Sequence, residues 1–470
     1  MNRWLAAAAT LLLAAPAPAE TLGEAIAAAY RTNPQLAAAR ARQEALAETP
    51  EQARALGRPT VSASGGAGYD ELGAGRAASA AATVSLPIWT GGRVSSAVRA
   101  ASGDVLAGAE GLRDTEAAIL EGVVIAYADL LYNQQAVEVA RVGIERLDRQ
   151  VAEAQSRFGL GQATRTDVAQ LEAQRASVVA NLADAEGALA TAAAAYRAAV
   201  GQDAGTLSAA ITPPDTLPAD RDGARRAAEA ANPLLLQQRR LVEASAARID
   251  QARADRAPAI DLAGGYGRGG RFVDGDWRGF ETAASVGLAL RVPLLTGGLV
   301  PSRIRQAEAS YRAERFQADA AAREAVRSAD AAWASLAAAQ ARGRAATEGL
   351  AAADLALQGV RAEYGFGLRS TIDILVADQS LRAAQLALAA ARSDTLVAQA
   401  ALLRATGRLD AVAYAVTRYG AVLPRTISSW RSVTCRTGLS TLRRISTSSS
   451  TVRRPIIALG WATVVNPGWK

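Results

Sequence analysis

The chain has 470 residues, half of them apolar and only 5% aromatic, with no histidine and a single cysteine, Cys435. Metal sites built from histidine or cysteine, histidine-based catalytic triads and disulfide frameworks are therefore excluded or nearly so. The formal net charge of +7 does not indicate a nucleic-acid partner, because residues 411–470 hold eight arginines and Lys470 with no acidic residue. No group of carboxylate, serine, tyrosine or arginine side chains has a catalytic pattern, so we expect no enzymatic activity and no cofactor.

The first 19 residues have the pattern of a secretory signal peptide. Arg3 supplies the basic start, residues 4–15 form an apolar core, and Ala17-Pro18-Ala19 is a cleavage site before Glu20. A retained membrane anchor is the alternative, but the apolar core is too short to span a bilayer. No cysteine follows the core, which argues against a lipoprotein anchor. Because no apolar run of comparable length follows, the mature chain would enter a membrane only as β-strands.

An internal repeat is the strongest feature of the sequence. We predict two copies of one unit over residues 20–201 and 224–407, joined by a proline-containing linker at 202–223. Residues 408–470 differ from both copies and are predicted to be a disordered tail or a frame-shifted end, rich in Ser, Thr and Arg. The matching segments are Asn33-Pro34-Gln35-Leu36 with Asn232-Pro233-Leu234-Leu235, Gly65-Gly66 with Gly264-Gly265, Phe158-Gly159-Leu160-Gly161 with Tyr364-Gly365-Phe366-Gly367, and Gly201 with Gly407.

Each unit begins with a helix and a β-hairpin. Thr21 and Glu24 form a capping box that predicts a first helix running to about Leu56. Two strands follow at about residues 60–69 and 80–88. In the second unit apolar residues alternate from Ile260 and again from Val286, as expected of strands. Runs of about ten residues match the length of a tilted membrane strand.

A Pro-x-x-Thr-Gly-Gly motif ends the second strand of each hairpin. Proline cannot donate to a sheet ladder and glycine tolerates unusual backbone angles, so both copies predict a corner between a strand and a helix, structural in role. The residues of the two corners are Pro87, Thr90, Gly91 and Gly92 in the first copy and Pro293, Thr296, Gly297 and Gly298 in the second.

A very long helix is predicted to follow each corner, from about Arg93 to Phe158 in the first unit. It keeps a seven-residue apolar stripe that indicates left-handed supercoiling, although an ordinary helical bundle shares this pattern. At 1.5 Å per residue it would be about 99 Å long, against about 54 Å and 55 Å for the helices on either side. One long helix therefore matches two short ones laid end to end, and both ends of a unit would meet at the middle of the long helix.

Two hairpins give four strands per chain. Membrane barrels begin at about eight strands, so four strands that span a membrane must share one barrel with other chains.

Taken together, these features resemble the TolC-type outer membrane channel proteins of Gram-negative export and efflux systems. The resemblance covers most of residues 21–407 and includes the duplicated unit, the Asn-Pro motifs, the Thr-Gly-Gly corners and the segments after the long helices. It implies a mixed α+β membrane protein: a homotrimer whose twelve strands form one barrel in outer membrane lipid, continued by a coiled-coil helical tunnel through the periplasm. It also implies two partners, a periplasmic adaptor (membrane fusion) protein and an inner-membrane transporter.

The resemblance further implies a gate at the helix breaks. The family's inter-helix polar links fall here on Thr166, Asp167, Tyr364 and Arg369, and its ring of lumenal aspartates falls on Asp373. Three copies of one carboxylate around an axis would favour cations. The alternative is purely structural, because Asp167 and Asp373 both fit capping boxes that start a helix. The family often has a second aspartate where this chain has Val376, which puts a second ring in doubt.

The glycine-rich run at 264–270 could be mistaken for a phosphate-binding loop, but it lacks the strand–loop–helix setting of such loops. We interpret it as a strand that runs into a surface loop. Tyr69, Trp89 and Tyr266 are expected near strand ends and could belong to an aromatic girdle or, for Trp89, to core packing.

The sequence therefore predicts a passive exit duct of a tripartite export system, for proteins or small molecules. The competing hypothesis is a soluble periplasmic coiled-coil scaffold or adaptor, in which the strands would pack on one another.

Overall fold

The computed structural model describes residues 20–70, 75–208, 216–273 and 276–414. The predicted signal peptide and the predicted tail from residue 415 onward lie outside the described residues. The first unit begins with three short helices, α1 (Leu22–Thr32), α2 (Pro34–Ala47) and α3 (Thr49–Ala55).

The prediction of one continuous first helix is wrong. Pro34 has no N–H to give to the preceding turn, and it forces Asn33 out of the helical region to φ −70° and ψ 118°. The Asn33 side chain then caps α2 by accepting from the backbone N–H groups of Gln35 and Leu36. The second unit breaks at Asn232 in the same way, between α6 (Arg221–Ala231) and α7 (Pro233–Ala254). Helix α6 begins inside the segment predicted as a linker.

The four strands form one antiparallel sheet in the order β1-β2-β3-β4. They are β1 (Thr60–Asp70), β2 (Gly75–Trp89), β3 (Ala259–Val273) and β4 (Asp276–Arg291), and all but β1 are well over the predicted ten residues. The glycine-rich run lies wholly within β3 and no loop begins there. Tyr266 consequently lies in the middle of a strand, whereas Tyr69 and Trp89 lie near strand ends as predicted.

The apolar side chains of the sheet are exposed within the single chain. Val286, Leu288 and Leu290 on β4 are each more than half exposed, and Val61 on β1 is 72% exposed. These residues alternate along their strands, so they share one face of the sheet. An apolar face of this kind needs lipid or another protein against it.

Both predicted corners are present. Gly91 and Gly92 have φ of 60° and 85°, and Gly297 and Gly298 have φ of 58° and 84°, a region that side-chain-bearing residues rarely adopt. At the first corner the Arg93 N–H donates to the Thr90 carbonyl (3.1 Å). Both motifs lie at the junction between the end of a strand and the start of a helix.

Four long helices form the rest of the fold. Helices α4 (Arg93–Gly159) and α8 (Leu299–Gly365) have 67 residues each, about 100 Å at 1.5 Å per residue. Each folds back into a shorter helix, α5 (Arg165–Val200) or α9 (Thr371–Ala405), and α4 also packs on α7 and α9. By length and composition alone, α9 could cross a membrane. In this fold it packs against α8 and α4, and 44% of its most apolar 18-residue stretch is buried.

The largest apolar core lies at the middle of α4. Tyr127 is fully buried there, and its hydroxyl donates to the carbonyl oxygens of Glu20 (3.0 Å) and Ser208 (2.8 Å). Burial raises the pKa of the Tyr127 hydroxyl to about 12, so it stays a hydrogen-bond donor. The start of the first unit and the segment that follows it are thus tied to the centre of its longest helix.

Candidate functional site at the helix breaks

Each long helix ends in a short turn that contains a glycine with a positive φ. Gly161 and Gly367 both have φ of 73°, and the turns let α5 and α9 run back along α4 and α8. All five residues of the predicted gate lie at these two turns or in the adjoining first or last helical turn.

Capping boxes begin both returning helices, as the structural interpretation predicted. The Asp167 N–H donates to the Thr164 hydroxyl (3.2 Å), and the Thr164 N–H donates to the Asp167 carboxylate (2.9 Å). Ser370 and Asp373 make the same pair of bonds, at 3.4 and 2.9 Å. The hydrogen bonds from Thr164 hold the pKa of Asp167 below its usual range, and those from Ser370 do so for Asp373, with help from the Arg369 charge.

The two helical hairpins contact each other at these tips through Asp167 and Tyr364. The Thr371 hydroxyl, at the start of α9, lies close enough to Asp167 to lower its pKa further. The Arg157 guanidinium lies 4.8 Å from the centre of the Tyr364 ring, a cation–π contact between α4 and α8. Two of the five predicted residues therefore bridge the hairpins.

The other three residues of the predicted gate, Arg369, Thr166 and Asp373, have different surroundings. Arg369 donates to Glu363 (2.6 Å) within its own turn. Thr166 is exposed, and Asp373 is partly exposed and held by its cap. Val376 is 57% exposed one turn above Asp373, so an apolar side chain stands where a second acidic ring would be.

A buried ionic cluster near the tips was not predicted from the sequence. Asp378 on α9 has no exposed surface and faces three arginines on three helices. Its carboxylate lies 3.0 Å from Arg382 on α9, 3.5 Å from Arg146 on α4 and 3.9 Å from Arg361 on α8. These contacts lack aligned hydrogen bonds, so charge attraction holds the three helices together here. The available signal was an ionisable residue within an apolar stripe, since Ile374, Ala377 and Leu381 are all buried around it.

Gly143 makes room for this cluster. The Arg382 side chain crosses α4 so closely that a methyl group on Gly143 would lie 3.0 Å from the Arg382 Cδ atom. A glycine inside a helix destabilises it by about 1 kcal/mol relative to alanine. The close approach of the Arg382 side chain explains why position 143 is nevertheless a glycine.

The described residues contain no group of three or more His, Cys, Asp or Glu side chains that could hold a metal ion. The contacts that Asp167 and Tyr364 make between the two hairpins are polar.

The fold and the paired helical tips define a class of protein, channels with a strand-built membrane end and a long helical body. A profile of the family described as outer membrane efflux protein matches residues 25–202 and 224–408. The chain is 32% identical over 413 residues to the outer membrane efflux protein BepC of Brucella suis, with 86% of this chain and 88% of the relative covered. It is 29% identical to the outer membrane protein TolC of Vibrio cholerae, covering 63% and 69%.

Among solved structures, the outer membrane protein VceC from Vibrio cholerae shares the fold with a TM-score of 0.67 at 24% identity, covering 82% of this chain and 96% of that one. The chain belongs to the outer membrane efflux protein family. It is a channel of the Gram-negative outer membrane that extends into the periplasm, and its family is one of transport proteins.

Proposed function

We propose that three copies of this chain form a single passive exit duct, gated at its periplasmic end. Three sheets of four strands make a twelve-stranded barrel in outer membrane lipid, and the long helices line a tunnel below it. The duct receives proteins or small molecules from an inner-membrane transporter through a periplasmic adaptor protein. The chain itself catalyses no reaction.

One observation carries this proposal: the sheet has an apolar exposed face and two unpaired edges. β1 and β4 each pair on one side only among the described strands. Four strands are too few to close a membrane barrel, and a long apolar edge strand is rarely left open. Pairing β4 of one copy with β1 of the next removes both edges.

The gate follows from the contacts between hairpins. In the closed state Arg157–Tyr364, Asp167–Thr371 and the Asp378 cluster hold α8 and α9 against α4 and α5. Three Asp373 carboxylates around the axis give the narrow end a negative charge, and Thr166 and Arg369 lie on the rim. Docking of the adaptor would exchange the polar contacts for its own and let the hairpins separate.

The test is whether the purified protein is a trimeric membrane channel. Outer membrane fractions should contain a species of three chains that falls to one chain on heating in detergent, and planar bilayers should show cation-preferring conductance. A monomer in the soluble periplasmic fraction would establish the scaffold hypothesis instead.

A further inference from the structure

The two faces of the sheet differ in polarity. Val61, Val286 and Leu288 are 72%, 81% and 65% exposed on one face. On the other face the hydroxyl groups of Ser62 and Thr83 lie 2.7 Å apart. Side chains alternate between the faces along each strand, and the pairing register fixes which residues of neighbouring strands share a face. In the proposed barrel the apolar face contacts lipid and the polar face lines the duct.

The apolar face is as tall as the band that an outer membrane barrel presents to lipid. On β2 it runs from Leu86, near the corner, to Arg76, near the hairpin tip. That distance is about 33 Å at about 3.3 Å per residue, and a strand tilt of about 40° converts it to about 25 Å of height, which is the usual height of such a band. Tyr69 of β1 pairs with Arg76 and is 70% exposed, so an aromatic residue stands at the outer edge of the band.

Arg268 lies on the apolar face inside this band. It pairs with Ala80 of β2 and with Thr282 of β4, it shares its face with Tyr266, and it is exposed. Ala80 is about 13 Å along β2 from Arg76, so Arg268 lies about 10 Å of height below the outer edge of the band. A charged side chain that faces hydrocarbon at this depth is destabilising unless its charge reaches a polar group.

The Arg268 side chain extends toward the outer surface. Its Nε atom donates to the Phe280 carbonyl (3.2 Å), and its guanidinium carbon lies 5.5 Å from the centre of the Phe280 ring. The ring covers Gly270, because a methyl group on Gly270 would collide with it. Gly270 is on the same face as Arg268 and nearer the hairpin tip. The guanidinium therefore leads out of the hydrocarbon toward the headgroups, as the long side chain of arginine allows.

The sheet offers Arg268 no counter-charge on its own face. The acidic side chains that the structure describes in the sheet are Asp261 and Glu281, and the register places both on the polar face. Arg268 makes no ion pair with any described residue. A neighbouring copy would present the same apolar face and so would not supply an acidic residue either. The anion that compensates Arg268 must then come from the lipid.

We propose that Arg268 and Arg76 bind the phosphate groups of a lipid in the outer leaflet of the membrane. Phosphate is the anion of lipid headgroups, and a guanidinium binds it through charge-assisted hydrogen bonds. Arg268 reaches the headgroup from below, along the Phe280 ring, and Arg76 contacts it at the edge of the band beside Tyr69. This inference rests on the proposed barrel and adds a lipid site to its outer surface.

Lipid binding to the full-length protein tests the site. The probe is diphosphoryl lipid A, a phosphorylated glycolipid, added to the protein in a neutral detergent and counted on the protein by native mass spectrometry. We expect Arg268→Gln to weaken binding about fivefold, and Arg268→Gln combined with Arg76→Gln to weaken it about 25-fold. Arg268→Lys keeps the charge and should retain most of the affinity.

Arg291→Gln is the matched control. Arg291 is exposed in the same sheet, but it pairs with Ala259 on the polar face, at the corner end of β4. Its loss changes the net charge by the same amount and should leave lipid binding at the wild-type level. Two further measurements on the wild-type protein identify the ligand. Dephosphorylated lipid A should bind at least about fivefold more weakly, and inorganic phosphate at the same concentration should not displace the lipid.

The outcomes separate the lipid site from the proposed duct. Equal affinity of the wild type and Arg268→Gln for lipid A, or equal binding of the dephosphorylated lipid, overturns the lipid site. Displacement by inorganic phosphate also overturns it, because the site would then bind the free anion without a lipid. Any of these results in a protein that still forms trimers and conducts leaves the duct standing. A wild-type protein with no bound lipid, no trimer and no conductance overturns both.

Discussion

At the residue scale, Asp373 is a helix cap, and we propose that it also supplies a negative charge at the narrow end of the channel. A conservative and a drastic substitution distinguish these two roles. Asn can still accept the bonds from Ser370 but has no charge, whereas Ala loses both. The capping bonds hold the pKa of Asp373 low, so its charge is present at neutral pH and is lost only as pH falls below the ordinary aspartate value of about 3.9.

We predict that Asp373→Asn and Asp373→Ala both raise conductance and weaken cation preference in planar bilayers. Only Asp373→Ala should also lower thermal stability, by about 1 kcal/mol, the usual cost of losing a cap. Asp220→Asn is the matched control, because it removes a capping carboxylate at the start of α6, away from the helix breaks. Unchanged selectivity in both Asp373 variants would contradict the ring.

Tyr127 is the second residue whose effect can be isolated. Tyr127→Phe keeps the ring but removes both hydrogen bonds, leaving the carbonyl oxygens of Glu20 and Ser208 without this donor. The single hydroxyl proton is shared between the two carbonyl oxygens and counts as about one hydrogen bond, so we expect a loss of about 0.5–1.5 kcal/mol. The midpoint of heat-induced loss of helical circular dichroism measures it. Tyr132→Phe, five residues along the same helix, should be nearly silent, and equal effects would refute the assignment.

At the scale of elements, the two hairpins behave as units held together by the Asp378 cluster. The cluster lies between apolar contacts, since Leu375 of α9 packs with Leu147, Leu171 and Val178 of the other hairpin. A buried charge that loses its partner is costly, whereas removing the whole group often is not.

We predict that Asp378→Ala destabilises the protein by about 3–5 kcal/mol and increases resting conductance, because Arg382 is left buried without a counter-charge. The double variant Asp378→Leu with Arg382→Met should recover part of the stability, because Arg361 is 44% exposed whereas Arg146 is 21% exposed and keeps a buried Nη1 atom. If the double variant recovers stability but keeps the high conductance, the charges act in the gate; if it recovers both, packing alone is responsible.

Periodicity was sufficient to predict the strands, the long helices and their caps, because those patterns are local. It did not predict the breaks at Asn33 and Glu48, although Pro34 was visible, because the apolar pattern continues across the proline. Asp378 stood out in the sequence as an acidic residue within an apolar stripe, but its full set of partners could not be predicted, since Arg146 lies on a helix more than two hundred residues away in the chain. Asp167 and Tyr364 were placed at the tips by resemblance, yet their partners Thr371 and Arg157 emerged only from the fold.

At the scale of the whole molecule, the family match ends at residue 408. We therefore expect the proposed duct to form without the last residues of the chain. We predict that a chain truncated after Val416 still forms heat-sensitive trimers with wild-type conductance. Loss of assembly in the truncated chain would show that the tail takes part, and sequencing the end of the gene would test the frame-shift hypothesis directly.

The caps at the helix breaks have a consequence for the energetics of opening. Because α5 and α9 each begin with their own side-chain cap, their first N–H groups do not depend on the neighbouring hairpin. Separating the hairpins therefore breaks a few polar contacts and one apolar seam but no helical hydrogen bond. Opening of the proposed gate would then require no melting of secondary structure, which suits a duct that must open repeatedly.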